Sequence, residues 1–361
     1  MQLKIITILG ARPQFIKAAT ISRAIKELNN PHLQEIIVHT GQHFDKNMSQ
    51  VFFDELEIPK PNYNLGISGV SHGQMTGRML IEIENVIIEQ KPNFVMVYGD
   101  TNSTLAGALA AAKLHVPIIH VEAGLRSFNM KMPEEVNRIL VDRISDVHFC
   151  SSNLAVDNLK REGLSKQVYN VGDVMYDAAL LYSNEKYKKD FSFEKFIDTS
   201  KPYVLATCHR AENTNDKLRL ENILKALQEI ANHMQVALPL HPRTHKVIGE
   251  YNFLHYLDKI LVLDPLPYIE MIWLQKGASV IITDSGGMQK ESYFLKVPCV
   301  TIRDETEWLE TLEGGANKLV GTSVEKIIEC TLNPCNKDAF SHKIYGDGTA
   351  SNQIVDILIR L

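Results

Sequence analysis

Five cysteines, at positions 150, 208, 299, 330 and 335, are an odd number and lack the paired short spacings of a structural zinc site. A reduced, cytoplasmic compartment is expected. A basic excess is also missing: 38 Lys and Arg stand against 43 Asp and Glu, a net charge of −5. No nucleic-acid or anionic-membrane partner is therefore expected, and any bound anion must be held by a local arrangement of donors. The 20 Gly and 14 Pro are scattered over 361 residues, which excludes low-complexity and collagen-like chains. Long apolar runs are absent as well. The most apolar helical stretch, 103–114, is about half a membrane span and is stopped by Lys113. Residues 3–9 form a strand-length segment without a basic start or a small-residue cleavage site, so no export signal is expected.

What is present is a β/α alternation. Strand-like runs at 3–9, 35–40, 94–99, 118–122, 147–151 and 167–171 are separated by helical patterns at 14–28, 71–90 and 103–114. Met75, Met79, Ile83, Val86 and Ile87 mark the core face of the second of these. A second series follows at 203–207, 236–240, 260–264, 279–283, 299–302 and 318–320. The alternation predicts parallel sheets covered by helices, in two doubly wound halves, residues 1–171 and 172–348. The polar stretch 183–201 reads as a helix end and a solvated linker, and 349–361 as an amphipathic closing helix.

Ligands of open α/β sheets lie beyond the carboxyl ends of strands, so the residues that follow each strand are the ones to inspect. After the first strand, Gly10-Ala11-Arg12-Pro13-Gln14 lacks the spaced glycines of a dinucleotide site. Arg12 and Lys17 there suit a phosphate, although spacing alone fits plain surface charges equally well. Asp284-Ser285-Gly286-Gly287 leaves backbone amides open at a helix start and is the strongest local anion site. Glu291, one turn further, suits ribose hydroxyls or is an exposed helix charge. No P-loop pattern occurs.

Asp100 and Glu122 end successive strands, and Glu134 opens a later helix. Singly each has a structural reading: Asp100 as a helix cap, Glu122 as a partner of Arg126, and Glu134 as a complement to a helix N-terminus. Together they suit proton transfer, because neighbouring acids and partial burial raise a carboxylate's pKa. His209-Arg210 and His241-Pro242-Arg243 follow strands of the second half and offer donors to a diphosphate. His39 and His43 lack the glutamate and the helical context of a metal site, so no catalytic metal is expected.

These motifs, with Gly99-Asp100-Thr101, His120-Val121-Glu122-Ala123-Gly124-Leu125-Arg126, Pro133-Glu134-Glu135, Asn137-Arg138 and Tyr345-Gly346-Asp347-Gly348, resemble in the same order those of the non-hydrolysing UDP-N-acetylglucosamine 2-epimerases. The resemblance implies a GT-B architecture: two Rossmann-like parallel-sheet domains facing a central cleft, the C-terminal helix returning to the first. It also implies a homodimer, a UDP-sugar substrate, no cofactor, and epimerisation at carbon 2 by elimination and re-addition of UDP through a glycal. Asp100, Glu122 and Glu134 become the acid/base candidates, with His209 near the diphosphate. Arg12, Lys17, Arg210, Ser285, Gly286 and Gly287 become anion donors, and Glu291 the ribose contact. Gln14, the run Thr306-Glu307-Trp308-Leu309, and Arg243 depart from the commoner pattern and resemble the branch acting on UDP-2,3-diacetamido-2,3-dideoxyglucuronate. Arg243 or Trp308 would then meet the altered sugar, with His241 a further substrate-binding candidate. A hydrolysing epimerase, a GT-B glycosyltransferase and a silent UDP-sugar sensor are the competing readings.

Overall fold

The computed structural model describes residues 2–42, 55–341 and 343–361; His43 lies outside them. The chain divides into two compact units, Met1–Ala178 with Ile344–Leu361, and Ala179–Lys343.

In the first unit seven parallel strands, β1 (Leu3–Leu9), β2 (Leu33–His39), β3 (Tyr63–Asn64), β4 (Phe94–Tyr98), β5 (Ile118–Ala123), β6 (Val147–Cys150) and β7 (Val168–Asn170), lie in the order β3-β2-β1-β4-β5-β6-β7. The central strands are apolar on both faces, as a parallel sheet covered on both sides demands: Ile6 and Val95 on one face and Ile5 and Met96 on the other are fully buried. The helix His72–Gln90 packs Met79, Ile83, Val86 and Ile87 onto this core. The short strand β3, which pairs Tyr63 with Val38, was not expected: two residues carry no periodicity to read.

The C-terminal helix Ala350–Leu358 packs against the helix Arg12–Leu28. Its N-cap, Thr349, makes no side-chain cap. The buried Asp177 carboxylate serves instead, accepting from Ala350 N at 3.1 Å and Ser351 N at 2.6 Å.

In the second unit six parallel strands, β8 (Tyr203–Thr207), β9 (Gln235–Pro239), β10 (Leu261–Leu263), β11 (Val280–Thr283), β12 (Cys299–Thr301) and β13 (Asn317–Leu319), run in the order β10-β9-β8-β11-β12-β13. Leu220, Ile223, Leu224 and Leu227 of the helix Lys217–Ile230 cover one face. The stretch 183–201 is not a solvated linker. Tyr187, Phe191, Phe193 and Ile197 are buried, and Phe191 lies 5.8 Å from the Trp273 ring. Its Lys, Asp and Ser residues dominate the composition while the interleaved aromatics decide the packing.

In each unit the strand order reverses once, between β1 and β4 and between β8 and β11. Such a reversal opens the crevice in which doubly wound sheets hold ligands. Among the described residues, no helix is long and apolar enough to cross a membrane.

Candidate active site

At the first reversal, β1 leads to Arg12 and Lys17 and β4 leads to Asp100. Gln14 ties the two strand ends together. Its Oε1 accepts from Gly10 N at 2.8 Å and Ala11 N at 3.0 Å, while Nε2 donates to Tyr98 O at 2.7 Å. A carboxylate at this position could not make the last bond, which accounts for the amide. Arg12 is half-buried and opens the helix Arg12–Leu28.

Asp100 is not the cap of the helix Asn102–Lys113; Thr101 is, its side chain accepting from Thr104 N. The Asp100 carboxylate is paired with Arg138 Nη1, and its backbone oxygen accepts from Asn137 Nδ2 at 2.8 Å. Burial pushes the Asp100 pKa above the usual aspartate range. Arg138 opposes that shift, Glu122 adds to it, Lys17 opposes it and Glu134 adds to it. The five groups therefore act on one another within one unit. Glu134 itself is exposed.

Glu122 does not pair with Arg126. It stands at φ +70°, where the pairing of β5 with β6 slips between Val121 and Ala123. A bulge re-aims a side chain in this way, and a non-glycine residue at such φ is strained. The carboxylate is ion-paired with Lys17 Nζ, both side chains being more than nine-tenths buried. Lys17 is thus committed to an acid as well as being a candidate anion donor. Gly99, at φ +62°, leaves room for this pair: a Cβ there would stand 3.2 Å from Glu122 Oε2 and 3.3 Å from Lys17 Nζ.

At the second reversal, Asp284 is fully buried and gathers the turn after β8. It accepts from His209 N at 3.0 Å, Arg210 N at 2.9 Å and Asn213 Nδ2 at 3.2 Å, and it lies 3.2 Å from His209 Nδ1. The His209 side chain is half exposed. Ser285 caps the helix Gly286–Phe294, its side chain accepting from Met288 N at 3.5 Å. A Cβ on Gly286 would come within 2.6 Å of Glu307 Oε1, so any other residue there would push the Glu307 carboxylate aside. Glu307 is in turn bound by Arg303 Nη1 at 2.9 Å and lies 3.9 Å from Arg210 Nη2. An arginine pair beside a helix start suits an anionic ligand, and such a ligand would take over the guanidinium groups that the Glu307 carboxylate now occupies. The surroundings of Gly287 are open.

Glu291 is buried rather than exposed and accepts from Gln275 Nε2 at 2.8 Å. His241 caps the helix Pro242–Glu250, and the exposed Arg243 donates to Asn215 Oδ1 at 3.1 Å. This loop is tied to the His209 turn by Thr244 Oγ1, which donates to Cys208 O at 3.2 Å. The Trp308 indole is buried, with Lys290 Nζ 4.2 Å from its ring centre and no hydrogen-bond partner for Nε1 among the described residues. Asp284, Arg138 and Asn137 were not singled out from sequence as site residues. Asp284 follows a strand at a reversal as Asp100 does, and that placement was the available signal.

A pair of doubly wound units, one carrying an acid cluster and the other an anion cradle, is the build of an enzyme for nucleotide-linked substrates. The family model for UDP-N-acetylglucosamine 2-epimerase matches residues 26–359, and the chain belongs to that family, whose members are carbohydrate isomerases. It is 53% identical to UDP-2,3-diacetamido-2,3-dideoxy-D-glucuronate 2-epimerase of Pseudomonas aeruginosa, over 99% of this chain and 100% of the relative. The solved UDP-GlcNAc 2-epimerase of Methanocaldococcus jannaschii, in complex with UDP-GlcNAc and UDP, matches at TM-score 0.84 and 42% identity over 100% of both chains. That of Neisseria meningitidis bound to UDP-GlcNAc matches at TM-score 0.88 and 29% identity, over 99% of this chain and 100% of the other. The two parallel-sheet domains are Rossmann-like and of the GT-B class.

Proposed function

We propose that the chain epimerises carbon 2 of UDP-2,3-diacetamido-2,3-dideoxy-D-glucuronate. The cluster of Asp100, Glu122, Lys17 and Arg138 carries the reading, since it sets two carboxylates among cations, with the proton affinity of Asp100 raised by burial, and needs no redox group. The higher identity to the Pseudomonas relative than to the UDP-GlcNAc enzyme of Methanocaldococcus favours the uronate over UDP-GlcNAc.

Carbon 2 is not next to a carbonyl, so its proton cannot leave to give an enolate. One carboxylate takes the proton as the carbon 1–oxygen bond breaks, UDP departs with the electron pair, and a carbon 1–carbon 2 double bond remains. UDP then adds back to carbon 1 while a second acid delivers a proton to the opposite face of carbon 2. Asp100, Glu122 and Glu134 supply these transfers, with Asp100, whose pKa burial raises, suited to hold the proton between the two steps. Arg12, Lys17, Arg210, Ser285, Gly286 and Gly287 offset the charge developing on UDP, His209 acts beside the diphosphate, and Glu291 holds the ribose. Arg243 or Trp308 meets the altered sugar, and His241 adds to substrate binding. The relatives solved with UDP or UDP-GlcNAc support a UDP-sugar as ligand. The reading extends to a cytoplasmic homodimer that supplies a sugar for polysaccharide synthesis, as the family resemblance implies.

Turnover of the uronate and of UDP-GlcNAc in deuterated water, followed by NMR at carbon 2, tests this. Epimer carrying deuterium there is expected, with the uronate converted faster; conversion that retains the original hydrogen rules out elimination and re-addition.

A further inference from the structure

Beneath the acid cluster lies a buried charged network that proton transfer does not use. His120 is wholly buried on β5, two residues before Glu122. Its Nδ1 lies 2.7 Å from Asp142 Oδ1 and its Nε2 lies 2.8 Å from the Gly99 carbonyl oxygen. A carbonyl can only accept, so Nε2 carries a proton.

Asp142, also wholly buried, receives Arg126 Nη1 at 2.7 Å and Gly124 N at 3.2 Å on its other oxygen. Burial pushes the Asp142 pKa up, but His120 and Arg126 outweigh burial and hold it below the usual range. With Arg126 and Gly124 both donating to Oδ2, the carboxylate is ionised beside the guanidinium and accepts at Oδ1 too, so Nδ1 carries a proton as well. Further charged and titratable groups adjoin the network, among them Asp146 beside His148 and the Glu122–Lys17 pair beside Gly99. Glu162 binds Arg126 at 2.7 Å, and His148 donates from Nε2 to the Asp142 backbone oxygen at 2.8 Å. Cys150, whose thiol burial pushes up to about 12, is neutral.

Gly99 is consequently held at both of its polar atoms by β5, its N–H donating to Val121 O at 3.0 Å and its oxygen accepting from His120. Gly99 directly precedes Asp100 and sits at positive φ, a conformation that must be fixed by its surroundings.

We propose that His120 is a positioning residue: a buried imidazole that donates from both ring nitrogens, to the Asp142 carboxylate and to the Gly99 carbonyl oxygen, and by clamping that carbonyl fixes the Asp100 carboxylate for proton transfer. It touches no substrate. The inference rests on the reading of Asp100 as a proton carrier.

Two amide variants separate clamping from simple packing. In His120→Gln the side-chain amide reaches the place of Nε2 and can still donate to Gly99; in His120→Asn it reaches only the place of Nδ1. H120Q is expected to keep kcat within about threefold. H120N is expected to lose about 10- to 100-fold in kcat with KM and UDP affinity unchanged, the range seen when a group orienting a reactive side chain is removed. Equal losses in the two variants, or none in either, with UDP affinity intact, overturn the proposal. Should H120N fail to fold, NMR of the 15N-histidine-labelled wild type decides. One ring, assigned by its absence in H120Q, must show both N–H groups at pH 7 and 8; a singly protonated ring overturns the proposal. D100N is the control for the underlying reading. Turnover retained in D100N defeats the role of Asp100 and leaves the ring protonation of His120 to be judged by NMR.

Discussion

Asp100 illustrates how one carboxylate's proton affinity is set by several neighbours. Burial raises it, Glu122 and Glu134 raise it further, and Arg138 and Lys17 pull it down. If Asp100 must be ionised to take the carbon 2 proton, the acidic limb of the kcat/KM profile follows its pKa. Replacing Arg138 by Gln removes the strongest opposing charge. In R138Q the acidic limb should therefore move to higher pH, with kcat reduced because the carboxylate is no longer held; a limb that stays put or moves down takes Asp100 out of that step. The residue types at 100, 122 and 134 were legible because each ends or follows a strand or opens a helix. Their partners were not. Arg138 and Lys17 reach Asp100 and Glu122 from other elements, across 38 and 105 positions, a pairing created only by the sheet order. Local spacing offered Arg126 for Glu122 instead, and Arg126 is taken by Asp142 and Glu162.

Among the elements, every strand expected from β-branched runs is present with ends shifted by two residues at most, because buried parallel strands must be continuously apolar. The stretch 183–201 shows where such reading fails. Averaged polarity hid four buried hydrophobics whose contacts lie on the helix Tyr268–Gly277 and its neighbours. The C-terminal helix shows a second limit: its periodicity was evident, but its cap is Asp177, carried by the helix Val174–Tyr182. Removing that carboxylate leaves two helix-end amides without their acceptor. Asp177→Ala should lower stability by about 1–3 kcal/mol, read as a lower urea midpoint at unchanged slope. A midpoint equal to wild type shows that the helix does not depend on this cap.

Across the whole molecule, the sequence carries the same device twice: a strand order that reverses once, with charged residues set at the reversal. The two reversals differ in charge. The first presents carboxylates, the second an arginine pair beside the start of a helix. On the proposed reading this divides the work, binding of UDP falling to Ala179–Lys343 and proton transfer to the unit holding Asp100 and Glu122. Ligand linkage makes the division measurable. UDP at a hundredfold excess over its Kd stabilises the native state by about 2.7 kcal/mol, a rise in Tm of roughly 5–10 °C for domains of this size. Glu122→Gln should keep that rise while abolishing turnover. Arg210→Ala should lose most of it at the same UDP concentration, because the guanidinium is one of few cations at the cradle and the backbone amides alone bind a diphosphate more weakly. The opposite pattern, UDP stabilisation lost in E122Q and intact in R210A, would place nucleotide binding on the acidic unit and overturn the division.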